Sequence, residues 1–290
     1  MISNSILRCP VCGEVLDFSL KYDSAGNARP QTYKCIENHS FDAAKEGYVN
    51  LLLPSKNSPS KDHGDNKLMI DARRAFLDAG YYAPFCDTVS ALAAKYREAG
   101  SPLIDIGCGE GYYTVPFVKG GPVVGVDISK HAVRYAAKRL CAVYPSALGD
   151  GGLSLVCGSA NSLPVIDSSC GMAVNLFAPL EIPELCRVVK PGGYFIYAVP
   201  TPKHLFGLKE ILYEDPYENT ERQDGYDGFE FVERVRCEVK LEVKREHIMP
   251  LFMMTPYYYR TPEDGVKRLE AAEVLVTDAG MDFLVYVRKD

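Results

Sequence analysis

The feature that most constrains this chain is a short apolar run ending in three closely spaced glycines, matched by an acid at the end of a second run. Leu103-Ile104-Asp105-Ile106 leads into Gly107-Cys108-Gly109-Glu110-Gly111, and Val123-Val124-Gly125-Val126 ends at Asp127. The first run predicts a buried parallel strand, and the glycines predict a turn into a helix. Glycine is needed there because the backbone turns sharply and must let a ligand approach with no Cβ in between. Asp127 lies 20 positions beyond Gly107, where a strand-end carboxylate can accept both hydroxyls of a ribose. Strand and helix signals then alternate. Strands are predicted over 153–156, 172–176 and 194–199, and helices over 131–143, behind a Ser129 cap, and 181–188. That alternation predicts an α/β fold with a doubly wound sheet. Beyond it, 232–243 and 273–288 alternate as antiparallel strands do.

Two kinds of nucleotide cofactor fit this outline. A dinucleotide site uses G-x-G-x-x-G, with pyrophosphate at a helix N-terminus. Here the spacing is G-x-G-x-G, with Asp105 before the turn and Glu110 inside it. Carboxylates repel pyrophosphate but suit the sulfonium and amino groups of S-adenosylmethionine. The pattern resembles the first two motifs of the class I S-adenosylmethionine-dependent methyltransferases. A dinucleotide enzyme and a purely structural glycine turn are the competing readings. Ser159, Ala160 and Asn161 occupy the zone where an Asp usually meets the adenine amino group, leaving backbone contacts for that task.

Near the N-terminus, Cys9-Pro10-Val11-Cys12 is followed after 22 residues by Cys35 and then His39. Three thiolates and an imidazole at this spacing suit tetrahedral zinc, and with all four positions filled the metal would hold a fold, not activate water. A redox Cys-x-x-Cys pair would open a helix behind a strand, a context absent here, and unliganded thiols are the remaining alternative. Residues 13–32 predict a hairpin with a soft tip at Ser24–Asn27, too small to fold without metal.

After these ligands the chain reads Phe41-Asp42-Ala43-Ala44-Lys45-Glu46-Gly47-Tyr48-Val49-Asn50-Leu51-Leu52. With the cysteine knuckle, this resembles the bacterial 23S ribosomal RNA guanine-N1 methyltransferases of the RlmA type. The likeness continues through Ala72–Tyr82, Asp105–Tyr113, Arg187–Gly193, Pro202–Leu205 and Met254-Thr255-Pro256. It implies a Rossmann-like, mostly parallel seven-stranded sheet (67–290), preceded by a zinc-ribbon-like RNA-recognition module (1–53) and a linker (54–66). It also implies S-adenosylmethionine contacts at Tyr82, Asp105, Gly107, Gly109, Glu110, Gly111, Asp127, Ile128 and His204, with structural zinc on Cys9, Cys12, Cys35 and His39. The substrate it implies is a guanine in a hairpin loop of 23S ribosomal RNA, and the assembly a homodimer. Taken singly, Tyr82 also reads as a buried sheet cap and His204 as a solvated loop residue. Asn175 lacks the N-P-P-Y context of exocyclic-amine methylation, and no residue announces itself as a catalytic base. A small-molecule or protein methyltransferase, and a non-catalytic RNA-binding or resistance factor, are the rival functions.

A formal charge of −6 does not advertise a nucleic-acid binder, so any RNA contact must come from a local basic patch. There is no apolar leader and no 18-residue apolar run, so a soluble, reducing, cytoplasmic protein is expected, with no membrane partner. Residues 67–80 predict a helix burying Leu68, Ala72, Ala75, Phe76 and Ala79, with Arg73 and Arg74 turned outward and Gly80 as the stop. The aromatic run 250–259 reads as core, with a base pocket as the alternative.

Overall fold

A computed structural model describes residues 5–22, 24–53, 64–149, 151–221 and 225–290; most of the expected linker, 54–63, lies outside the described residues. The zinc-ligand region forms a small antiparallel sheet of β1 (Asp17–Tyr22), β2 (Ala28–Lys34) and β3 (Ser40–Asp42). The hairpin is where the sequence places it, and Gly26 takes a left-handed φ of 82° at its tip.

The main sheet contains β4 (Val49–Asn50), β5 (Leu103–Ile106), β6 (Val123–Asp127), β7 (Leu153–Cys157), β8 (Cys170–Asn175), β9 (Val189–Pro200), β10 (Phe229–Lys244) and β11 (Val274–Arg288). Their order is β10-β11-β9-β8-β5-β6-β7-β4. β4 to β9 pair in parallel, while β11 runs antiparallel to both β9 and β10. Seven of these strands match the expected sheet. The eighth, β4, comes from the N-terminal region, and its Val49 is fully buried against the edge of β7. Lys190–Gly193 lies inside β9, where the pairing with β8 shifts register and Gly192 adopts φ 73°.

The helices are α1 (Lys67–Asp78), α2 (Ala83–Tyr96), α3 (Thr114–Phe117), α4 (Lys130–Val143), α5 (Ile182–Val188), α6 (Phe206–Leu212), α7 (Arg245–Met253) and α8 (Glu263–Glu270). Asn66 caps α1 by accepting the Met69 N–H, and Ser129 caps α4 by accepting the Ala132 N–H. α1 departs from its expected face. Met69, Ile70, Ala72, Phe76 and Leu77 are buried, whereas Leu68 is 61% exposed and Ala75 and Ala79 face solvent. Turning the helix this way buries four large side chains and leaves small alanines outside, which removes more apolar area from water. The same rotation leaves Arg73 and Arg74 only half exposed.

The two faces of the sheet are covered differently. One carries Phe76 and Leu77 of α1, Phe85 of α2, Val133 of α4 and Leu251 of α7 in a continuous cluster. On the other, Leu7, Leu16, Tyr33 and Leu51 of the N-terminal region pack with Leu185 and Val188 of α5 over Ile104 and Val124. The ribbon thus takes the place of covering helices, and its interior is continuous with the main core. No helix among the described residues is long and apolar enough to cross a membrane.

Candidate functional site

A cavity of about 730 Å3 opens at the C-terminal ends of β5, β6, β7 and β8, where open α/β sheets bind their ligands. Its floor is the glycine turn. Gly107 and Gly109 adopt φ of 73° and 56°. A Cβ on Gly107 would lie 2.4 Å from the Ala178 Cβ, while one on Gly109 would meet no protein atom within 4 Å, so the space over Gly109 belongs to the cavity. Gly111 serves packing instead. Its Cβ would stand 3.2 Å from Ala136 of α4, and it is not part of the wall.

Asp127 ends β6 with both carboxylate oxygens engaged by backbone. Oδ2 accepts the Gly109 N–H at 3.0 Å and Oδ1 the Ser129 N–H at 2.7 Å. Burial pushes its pKa up, against the pull of those two N–H groups. Each oxygen keeps a second lone pair for a ligand hydroxyl. Ile128, Ser159, Ala160 and Asn161 continue this wall. Glu110 accepts the Arg139 Nε at 2.7 Å on Oε2, and Arg139 is held in turn by Asp78. The Glu110 Oε1 is buried with no hydrogen-bond partner among the described residues; burial raises this carboxyl, with Arg139 opposing. Asp105 lies behind the wall in the centre of the sheet. Its Oδ2 accepts the Thr114 hydroxyl at 2.6 Å, and burial pushes it up to about 7.

Tyr82 and His204 both reach the cavity. The Tyr82 hydroxyl, like that of Tyr113, is buried and has no hydrogen-bond partner among the described residues. The His204 ring sits 6.2 Å from the Tyr82 ring, and burial pulls its pKa down to about 4. Its Nδ1 accepts the Gly280 N–H at 3.2 Å, which places the hydrogen of the neutral ring on Nε2. Of the nine expected contact residues, Tyr82, Gly107, Gly109, Glu110, Asp127, Ile128 and His204 line one cavity, while Asp105 and Gly111 support it from behind.

The rest of the wall was less legible in the sequence. Asn175 closes the loop after β8, donating from Nδ2 to Pro179 O and accepting the Ala178 N–H, both at 3.1 Å. That loop leaves Phe177 59% exposed on the cavity. The aromatic run divides: Leu251 and Phe252 are core, whereas Met254 to Tyr257 line the cavity. Lys209, fully buried on α6, donates from Nζ to Tyr217 O at 2.8 Å and Asn219 Oδ1 at 2.9 Å, and lies 4.2 Å from the Tyr217 ring centroid. Its only signal in the sequence is one lysine, next to Glu210, in a short helical stretch of otherwise apolar residues.

Cys9, Cys12, Cys35 and His39 converge with all four ligand atoms within 4.8 Å of one another. The Cys12–Cys35 sulfurs are 3.6 Å apart, and the His39 Nδ1 lies 3.7 Å from Cys9 and 3.4 Å from Cys35. Zn–S bonds of about 2.3 Å and Zn–N bonds of about 2.0 Å in a tetrahedron require edges of about 3.5–3.8 Å. The residues fit structural zinc. Three unpartnered polar atoms, an open glycine cradle and a strand-end carboxylate likewise fit S-adenosylmethionine.

The sheet order and this cavity define a class I S-adenosylmethionine-dependent methyltransferase, and residues 104–197 match the methyltransferase domain family. Residues 7–61 match the N-terminal zinc ribbon of RlmA. The 23S rRNA (guanine(748)-N(1))-methyltransferase of Streptomyces fradiae is 31% identical over 91% of this chain and 89% of its own. A Micromonospora griseorubida protein described as a candidate 23S rRNA (guanine-N(1)-)-methyltransferase is 32% identical over 88% of this chain and 87% of its own. This chain belongs to the 23S rRNA guanine-N1-methyltransferase family.

Proposed function

We propose that the protein transfers a methyl group from S-adenosylmethionine to N1 of a guanine in a hairpin loop of 23S ribosomal RNA. The observation that carries this reading is the strand-end cavity with its glycine cradle and unpartnered polar atoms. Asp127 accepts the ribose hydroxyls, Ile128 packs on the adenine, and Gly107 and Gly109 let the donor approach the backbone. Tyr82, Glu110 and His204 complete its contacts, while Asp105 and Gly111 shape the turn from behind.

Bound S-adenosylmethionine supplies an electrophilic methyl group, and the chain supplies position. Phe177 and Tyr217 offer exposed aromatic faces on the cavity wall, on which an unstacked base can lie. His204, neutral down to about pH 4, donates a hydrogen bond into the site without bringing a charge. A target base must leave its stack to enter such a cavity, which favours a loop guanine over one in a duplex.

In this reading zinc holds 1–53 as an RNA-recognition module whose Val49–Asn50 strand joins the sheet of the catalytic domain, 67–290, with 54–66 the linker in sequence between them. Reduced zinc thiolates accord with a cytoplasmic location. The homodimer implied by the family resemblance is measured by sedimentation equilibrium. The functional test incubates the protein with tritiated S-adenosylmethionine and unmodified bacterial 23S ribosomal RNA, then maps reverse-transcription stops. N1-methylguanine cannot form a Watson–Crick pair, so one strong stop in a hairpin loop is the expected result. No incorporation with cofactor binding intact overturns the ribosomal RNA assignment.

A further inference from the structure

Beside the cavity lies an open groove of about 350 Å3, continuous with it through Asp65, Arg73, the Met254–Pro256 segment and Arg260, and completed by Met69 and Tyr259. The groove sits on α1 and the segment following α7, on the sheet face opposite the zinc ribbon. Its charges are arranged unequally. Arg73 is neutralised by an ion pair with Asp65, whereas Arg260 is exposed and has no carboxylate partner among the described residues. Next to it, Tyr259 is 68% exposed, an aromatic ring left on the rim while its hydroxyl donates to the Met69 sulfur at 2.8 Å. On a chain of formal charge −6, an uncompensated guanidinium beside an uncovered ring at the mouth of the cavity is a local device. A cation that tracks phosphate and an aromatic that stacks bases are the two parts of a single-strand binding surface.

We propose that this groove carries the RNA strand flanking the target nucleotide, with Arg260 on a backbone phosphate and Tyr259 stacked on a neighbouring base. The inference rests on ribosomal RNA being the substrate, and it gives the methyltransferase domain an RNA contact of its own besides the ribbon. Polyanion complementarity selects this occupant: the exposed charge is positive, and it borders the opening through which a base must enter.

The test is equilibrium binding of fluorescent 23S ribosomal RNA hairpin fragments to the zinc-loaded full chain, with S-adenosylhomocysteine present, across a salt series. Arg260→Ala should weaken binding and reduce the slope of log affinity against log salt by about 0.7, the value for one single-strand phosphate. Tyr259→Ala should weaken binding about 5-fold or more with the salt slope unchanged. Tyr259→Phe, which keeps the ring and loses the Met69 bond, should bind as wild type does. Cofactor affinity, measured in parallel by calorimetry, should be unchanged in Tyr259→Ala. Wild-type binding that neither Arg260→Ala nor Tyr259→Ala weakens overturns the groove alone. So does a loss in Arg260→Ala that cofactor affinity fully shares. A wild-type protein that does not bind ribosomal RNA overturns the groove and the substrate together.

Discussion

Replacing Asp105 by Asn should make the cofactor-free protein less stable at acid pH and equally or more stable at alkaline pH. The carboxyl is buried in the central strand β5 and pushed up from 3.8 to about 7, burial being the largest cause and the Thr114 hydroxyl opposing it. Because the folded state holds this proton after the unfolded state has released it, stability falls as pH rises from about 4 to about 7 and is level above that. Raising the carboxyl from 3.8 to about 7 is worth about 4 kcal/mol, of which about 3 kcal/mol falls between pH 5 and 8. Asn removes the charge but buries an amide N–H2 where Oδ1 now lies, a cost of about 1–3 kcal/mol. The variant should therefore be less stable than wild type at pH 5 and equal or more stable at pH 8, the difference swinging by about 2–3 kcal/mol. Urea unfolding of both proteins, zinc-loaded, at pH 5, 6.5 and 8 reads this directly, because titrating groups not coupled to Asp105 cancel in the comparison, Asp127 being the carboxylate that is coupled to it. A difference that stays constant within about 0.5 kcal/mol across that range would refute the burial argument.

Removing zinc by chelation, or losing a ligand in Cys12→Ser, should unfold β1–β3 and expose Ile104 and Val124 beneath them. Loss of strand dichroism, dye binding and a stoichiometry of one zinc per chain in the untreated protein check this. Asp127→Ala strips an acceptor from the Gly109 and Ser129 N–H groups and should weaken S-adenosylmethionine binding about 30–150-fold, at about 1–1.5 kcal/mol for each of two lost ribose hydrogen bonds, by calorimetry. Lys209→Met leaves Tyr217 O and Asn219 Oδ1 without their donor. It should cost about 1–3 kcal/mol in thermal or urea unfolding and raise KM for RNA more than KM for the cofactor. Phe177→Ala removes a ring already 59% exposed; stability should hold within about 0.5 kcal/mol while methylation of RNA falls.

How much of the site could be foreseen follows from whether its residues act locally or by convergence. The glycine turn and Asp127 were legible because a turn of fixed spacing constrains residue types within a few positions of one another. The zinc ligands were legible for the same reason: each pair closes its own knuckle. The buried face of α1 was misjudged because the periodicity of 67–80 admits two adjacent faces. Only packing against its neighbours shows that Met69, Ile70 and Leu77 outweigh Leu68, Ala75 and Ala79. The aromatic run 250–259 admits no single label because the end of α7 and the short 3-10 helix Pro256–Tyr259 place its halves on opposite sides of the core boundary.

The sequence by itself determined the cofactor class, the zinc ligand set and the alternation that yields a doubly wound sheet, since each depends on short-range stereochemistry. Tertiary structure decided which of those residues form the wall. It placed Asp105 and Gly111 behind the cavity, and fed Val49 into the main sheet as an eighth strand. It also set Lys209 beneath Tyr217, and left Arg260 and Tyr259 uncovered at the mouth. Contacts between residues tens to hundreds of positions apart are set by how whole elements bury their apolar faces together, and spacing along the chain does not encode that outcome.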